Sequence, residues 1–369
     1  MAAKEKSHAL SLIQALKKAS KDLQNNPIFI LCRNQTDLKA AIEALLELST
    51  KANPILSADP CLSNISHSLN NLRELLRDLE EFQGYGVRSL FYRQITKYKI
   101  SQIGYEIETH LRAYIDREAI FDLVQTLREE PGDEDEKITA LIEFENRLSQ
   151  GFDRDYQELI MKAGIFSILE SMLCFSNCSN RVKDEAALAV LALIEFNKDV
   201  FVGMVFMGFT IPSLISMGSS TSIRILSSLI ARIRTPLIDE LQHRKQIPRI
   251  INLLSSENRS VLMAAMNCLF EIAFYGSKEV IGAMLEEELV RKLLELQRLK
   301  IGSDLENEDF AFEDCVKRFA LQIEMGEGVE NKKEKDEFKL EILETVRKAS
   351  VSDAEAASIV HDILWGPSP

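Results

Sequence analysis

The feature that most restricts how this chain can fold is a recurrence in its second half. A hydrophobic pair opens a short apolar helix at Ile165, Ile211-Pro212, Ile247-Pro248 and Leu289-Val290, at separations of 46, 36 and 42 residues. Each time a longer helix follows, with small residues in its middle. A unit of that length cannot bury its own apolar face, so it must stack on a copy of itself, and the period is that of a helical solenoid and not of a globular enzyme. Aligned at the long helices, the units read Leu141-Ile142-Glu143-Phe144, Leu193-Ile194-Glu195-Phe196, Leu229-Ile230-Ala231-Arg232, Leu269-Phe270-Glu271-Ile272 and Val316-Lys317-Arg318-Phe319. The spacing is uneven because the loops are. Cys174 to Asn180 reads as an insertion, Gly218-Ser219-Ser220 as a shortened turn and Gly302 to Asp309 as an acidic loop.

Upstream, from Ser7 to about Glu130, the pattern changes to four one-sided helices. Leu12, Leu16, Ala19 and Leu23 form the first stripe; Leu38, Ala41, Ile42 and Leu45 form the second, closed by Asn53-Pro54 and Pro60. Leu72, Leu75, Leu76, Leu79 and Phe82 form the third, and Gly84-Tyr85-Gly86 turns the chain into a fourth carrying Ile95, Tyr98, Ile103, Ile107 and Leu111. One-sided stripes must bury against one another, and an antiparallel bundle does this most simply. Pro131-Gly132 followed by Asp133-Glu134-Asp135-Glu136 marks the boundary. The expected organisation is a bundle over 1–130, a linker over 131–136, helical repeats over 137–325, and a charged segment with capping helices over 326–369. The last of these opens with the capping box Ser352-Asp353-Ala354-Glu355 and ends at Trp365-Gly366-Pro367.

The stretch Ile247-Pro248-Arg249-Ile250-Ile251-Asn252-Leu253-Leu254-Ser255-Ser256, continued to Cys268-Leu269-Phe270-Glu271-Ile272-Ala273, resembles one armadillo repeat without a gap. Ile165 to Phe196 and Ile211 to Ile233 are weaker copies, and the resemblance covers roughly Glu136 to Ala320. It implies an all-α chain in which an N-terminal helical bundle leads into an armadillo-like right-handed α-solenoid that binds a protein partner in its groove. Many members of that family hold an extended peptide with a ladder of asparagines, each preceded by a tryptophan. Here the asparagine positions carry Glu195, Ala231, Glu271 and Arg318, and the tryptophan positions carry Leu191, Ser227 and Asn267. The layout of bundle and repeats is similar to plant armadillo proteins related to the U-box ubiquitin ligases. The U-box itself is missing, since Pro131 is the only proline between Cys61 and Ile211; a role in ubiquitin ligation would be that of an inactive regulator.

Chemistry is sparse. The five histidines, His8, His67, His110, His243 and His361, stand apart from any second ligand at zinc spacing, and neither a glycine-rich phosphate loop nor a Gly-x-Ser-x-Gly elbow occurs. No cofactor, metal or catalytic role is expected. A net charge of -13 disfavours nucleic acid as a partner. Glu143, Glu195 and Glu271, with Arg318 at the same aligned position, are the candidate groove residues for a partner segment of basic character; the alternative is a solvated helix face. Arg88, Arg93, Lys97 and Lys99, interleaved with Phe91, Tyr92 and Tyr98, form the one basic aromatic cluster and are candidates for contact with anionic lipid or an acidic partner. The alternative there is a solvated face whose aromatics point into the bundle. Met204, Phe206, Met207 and Phe209 read as repeat core. The six cysteines lie in apolar helical segments and no signal-peptide core follows Met1, so the expected compartment is reducing and cytoplasmic, with the nucleus or a membrane surface as further places. No stretch is apolar enough to span a bilayer. The reading is therefore a non-catalytic interaction scaffold, with membrane association through the bundle as the alternative.

Overall fold

The computed structural model describes residues 2–24, 35–59, 62–81, 87–129, 132–174, 178–299, 312 and 314–365. Among these residues there are helices and turns and no strand. The chain divides into two compact units, Met1–Gln125 with Asp153–Ala163, and Thr126–Phe152 with Gly164–Pro369.

The first unit is built on α1 (Ala2–Gln24), α2 (Gln35–Ala58), α3 (Ser63–Glu81) and α4 (Val87–Arg128). Ile13, Leu16 and Leu23 of α1 meet Ile42, Leu45 and Leu56 of α2, Ile65, Leu69 and Leu72 of α3, and Ile100, Ile107 and Leu111 of α4 in one buried cluster. Arg117 on α4 binds Asp59, just past α2, at 2.5 Å. The expectation that Asn53-Pro54 closes the second helix is corrected, because α2 runs through Pro54 to Ala58. Proline there removes a single donor, the one directed at Thr50, and Ala52 and Leu56 are buried on either side of it, so packing holds the backbone helical. Pro60, Phe82 and Gly84-Tyr85-Gly86 lie outside the described residues.

A second correction concerns α4. Ile107 and Leu111 are buried and Ile103 is half-buried, but Ile95 is 42% and Tyr98 70% exposed. This helix of 42 residues carries apolar side chains on two faces, and the core takes only the face of Thr96, Ile100, Ile103 and Ile107. Ile95 and Tyr98 are on the other.

The second unit contains the repeats. After α5 (Glu134–Leu148) and α6 (Arg154–Ala163), the latter grouped with the first unit, come α7 (Ile165–Cys174) and α8 (Asn180–Phe196). Three further sets of three helices follow: α9 (Lys198–Met207), α10 (Thr210–Met217) and α11 (Ser220–Ile233); α12 (Thr235–His243), α13 (Ile247–Asn252) and α14 (Arg259–Tyr275); α15 (Lys278–Glu286), α16 (Leu289–Leu299) and α17 (Cys315–Met325). Two helices, α18 (Lys332–Ala349) and α19 (Asp353–Trp365), complete the chain. The short apolar helices begin where the sequence places them, and Gly302 to Asp309 lies outside the described residues.

The long helices α5, α8, α11 and α14 are each started by a side-chain cap, whereas α17 is not. Asp133 accepts from the N–H of Asp135, Ser219 from that of Ser222, and Asn258 from those of Ser260 and Val261. The acidic run after Gly132 is therefore the first turn of α5, where carboxylates oppose the positive end of the helix dipole. Gly218 closes α10 at φ 58°, a left-handed conformation that glycine adopts without a Cβ penalty. At α19, Ser352 Oγ accepts from the Glu355 N–H, while the Glu355 carboxylate accepts from Val351 and from Arg298. Half of the expected capping box is formed, and Arg298 occupies Glu355 for the rest.

The long helices pack on one another in sequence, α5 on α8, α8 on α11, α11 on α14 and α14 on α17. Ala264 and Ala265 in the middle of α14 let its neighbours approach closely, and Leu269 is fully buried. Replacing Leu269 with Ala should leave a cavity and cost about 2–5 kcal/mol. Replacing the exposed Glu195 should cost about 1 kcal/mol or less. Urea unfolding of both variants checks the assignment, and equal losses would contradict it.

Candidate partner-binding site

In α5 the apolar stripe runs Leu141, Phe144 and Leu148, all buried. Glu145 falls between them, one turn before Leu148, so its position in the stripe carries a carboxylate into an apolar seam. In α8, which packs on α5, Glu185 takes the equivalent place among Val182, Ala186 and Ala189. The two glutamates are thus brought together at one helix interface.

Glu145, Leu148, Ser149, Gly151, Phe152, Ala192, Glu195 and Phe196 line a recess of about 440 Å³ at the C-terminal ends of the two helices. Phe152 and Phe196 stand 5.6 Å apart at a tilted angle, Phe152 largely exposed and Phe196 buried. Glu145 Oε1 is out of contact with solvent and has no hydrogen-bond partner among the described residues. Loss of hydration, and secondarily the charge of Glu185, push the Glu145 carboxyl up to about 7. The recess combines an aromatic wall with a carboxylate oxygen that has no partner among the described residues.

The sequence-derived groove residues are distributed differently. Glu143 is exposed and does not line the recess. Glu195 does, but its Oε1 accepts from Arg232 at 2.7 Å, which ties α8 to α11. Glu271 is half-buried, and burial raises its pKa. Arg318 lies over the Phe270 ring at 4.9 Å. The aligned row therefore holds Glu143, Glu195 and Glu271 with Arg232 against Glu195 and Arg318 at its end, a row of mixed charge.

Two surface features differ from expectation. Phe91, Tyr92 and Tyr98 of the basic aromatic cluster are exposed and do not enter the bundle, because the core takes the opposite face of α4. Lys97 is half-buried and Lys99 exposed, whereas the side chains of Arg88 and Arg93 lie outside the described residues. Met207 and Phe209 are 83% and 67% exposed and are not repeat core. The reason is a polar clamp. Glu170 Oε1 accepts from the N–H groups of Phe209 and Thr210, and Arg244 donates to the carbonyls of Phe206 and Gly208. These bonds fix the turn between α9 and α10 and turn both side chains outward. A Cβ at Gly208 would stand 1.9 Å from the Glu170 carboxylate, so any larger residue there would have to displace that side chain.

Among the described residues no group of histidine, cysteine and carboxylate side chains is arranged to hold a metal ion. Among the described residues no single helix is long and apolar enough to cross a membrane.

No family model matches the chain, and no curated protein does. Solved structures are similar in part. A designed armadillo repeat protein is 18% identical with a TM-score of 0.45, covering 66% of this chain and 98% of its own. Another designed armadillo repeat protein, solved in complex with the peptide (KR)4, is 20% identical with a TM-score of 0.46, covering 67% of this chain and 98% of its own. An engineered protein at 15% identity and a TM-score of 0.45 covers 99% of this chain and 95% of its own.

Because Glu145 holds its proton more tightly folded than unfolded, its contribution to stability is complete below the ordinary carboxylate range and is lost as pH rises through about 7. Glu271 acts in the same direction. The unfolding midpoint should fall between about pH 5 and about pH 8, and Glu145→Gln should flatten that fall. Thermal scans at several pH values check this, and an unchanged slope in the variant would contradict it.

Proposed function

We propose that this protein is a non-catalytic scaffold that holds a segment of a protein partner along its row of long helices, with a lysine or arginine side chain seated in the recess between α5 and α8. The observation that carries the reading is the buried, unpartnered Glu145 Oε1 beside a second carboxylate and an aromatic wall. A cation entering the recess supplies that oxygen with a donor and offsets the repulsion between Glu145 and Glu185. Its aliphatic stem lies along Phe152 and Phe196, as long basic side chains do on apolar surfaces. The mixed charge of the aligned row supports a partner that is basic at this point and not throughout. Glu195, held by Arg232, then serves as a rim charge, while the deeper Glu145 selects the cation. A cytoplasmic setting belongs to the same proposal, supported by Cys174, Cys178, Cys268 and Cys315 being free thiols, as a reducing compartment keeps them.

A short peptide of alternating lysine and arginine, labelled with a fluorophore, tests the recess by anisotropy. Affinity should rise from about pH 6 to about pH 8 as Glu145 ionises, because only the carboxylate attracts the cation. Glu145→Gln and Glu185→Gln should each weaken binding about tenfold, and Glu143→Gln should have little effect. Equal binding by all three variants, with no dependence on pH, would remove the recess as the site.

A further inference from the structure

On α4 the exposed residues Phe91, Ile95, Tyr98 and Tyr105 follow the spacing i, i+4, i+7 and i+14, which sets them on one face of the helix. Their exposures are 71%, 42%, 70% and 60%, so this stripe is uncovered along its length, about 21 Å at 1.5 Å per residue. The core-facing residues Thr96, Ile100, Ile103 and Ile107 lie on the opposite side. At roughly 100° per residue, Lys97 and Lys99 fall on the two shoulders of the stripe, one on each side of Tyr98.

The charge of the segment is as one-sided as its hydrophobicity. From Val87 to Tyr105 there are Arg88, Arg93, Lys97 and Lys99 and no acidic residue, in a chain whose net charge is -13. A solvated helix face would carry its aromatics inward and mix its charges, and this one does neither.

We propose that this face of α4 docks the protein on the surface of an anionic phospholipid bilayer, with the helix lying in the plane of the headgroups. Phenol and phenyl rings are suited to the depth where apolar chain meets polar headgroup, and tyrosine keeps its hydroxyl in the wet layer. Lysines on both shoulders place their ammonium groups level with lipid phosphates while their stems stay with the rings. Two shoulders of like charge suit a plane of negative charge beneath the whole stripe. They disfavour a second copy of this chain, because Lys97 and Lys99 of each copy would face their counterparts. The docking uses a different part of the chain from the recess at Glu145, so either reading can fail without the other.

Flotation of the full chain with vesicles tests the inference. Vesicles of phosphatidylcholine containing phosphatidylserine should carry the protein upward at low salt, and phosphatidylcholine alone should not. Raising the salt should release it. Lys97→Glu with Lys99→Glu, and separately Tyr98→Ser with Tyr105→Ser, should each reduce the bound fraction about tenfold. Glu106→Lys adds a cation beside the stripe at an exposed position and should increase binding to anionic vesicles alone and reversibly with salt, whereas apolar surface exposed by misfolding would bind neutral vesicles too. Glu145→Gln should float like the unaltered protein. Failure to float with anionic vesicles, flotation equal with neutral vesicles, or binding indifferent to all three α4 variants would overturn the proposal. So would a dimer in light scattering that Tyr98→Ser with Tyr105→Ser converts to monomer without any vesicle binding, since the stripe would then belong to a second copy.

Discussion

The repeat half of the molecule depends on one constraint: a helix with apolar side chains on two sides must have a helix against each. The helix α14 shows it most fully, with Val261, Leu262, Ala264, Ala265, Met266, Cys268, Leu269, Phe270, Ile272 and Ala273 all buried. Its neighbours α11 and α17 cover it on either side, and the chain of long helices from α5 to α17 repeats the arrangement. In such a stack stability is shared between adjacent units, so a cavity in the middle weakens two interfaces at once. The short helices α7, α10, α13 and α16 each pack on the long helix that follows and need only enough length to present one apolar face.

That same constraint gives the recess its character. A helix seam built for apolar contact leaves a carboxylate poorly hydrated, and α5 places Glu145 there with Glu185 of α8 near enough to repel it. Several other carboxylates of the stack are paired. Glu195 has Arg232, Glu327 has Arg234, and Glu355 has both Arg298 and the Val351 N–H. Glu170 is turned to structural use, capping the chain at Phe209 and Thr210 while Arg244 holds the carbonyls beside it. Glu145, whose Oε1 has no partner among the described residues, differs from these, and it lies beside Phe152, which is exposed.

The bundle shows the opposite excess. Its core is satisfied by one face of each helix, and α4 supplies apolar residues on a second face as well. The surplus is aromatic and flanked by lysine, where the recess is aromatic and flanked by glutamate. The two patches are thus of opposite charge, each with an exposed ring, and the chemistry of what they attract differs accordingly.

Periodicity was enough to determine the all-α repeat fold, since the openings at Ile165, Ile211, Ile247 and Leu289 are set by a local alternation of apolar and polar residues that a single helix turn already expresses. The side-chain caps at Asp133, Ser219 and Asn258 are local too, and polar residues immediately before apolar runs make them legible. The glutamate pair is partly legible, because Glu145 interrupts the stripe of Leu141 and Leu148, but the aligned repeat position is that of Glu143, whose side chain is exposed. Which face of α4 meets the core, whether Pro54 ends its helix, and where Met207 and Phe209 point were decided only by tertiary structure. In each case the local pattern allows two outcomes of similar energy. The choice between them is made by contacts with residues distant in the chain: Ile13 and Leu45 in the bundle, Glu170 and Arg244 in the repeats. A local pattern states that a side chain must be buried or bonded, and only the assembled fold supplies the partner that does it.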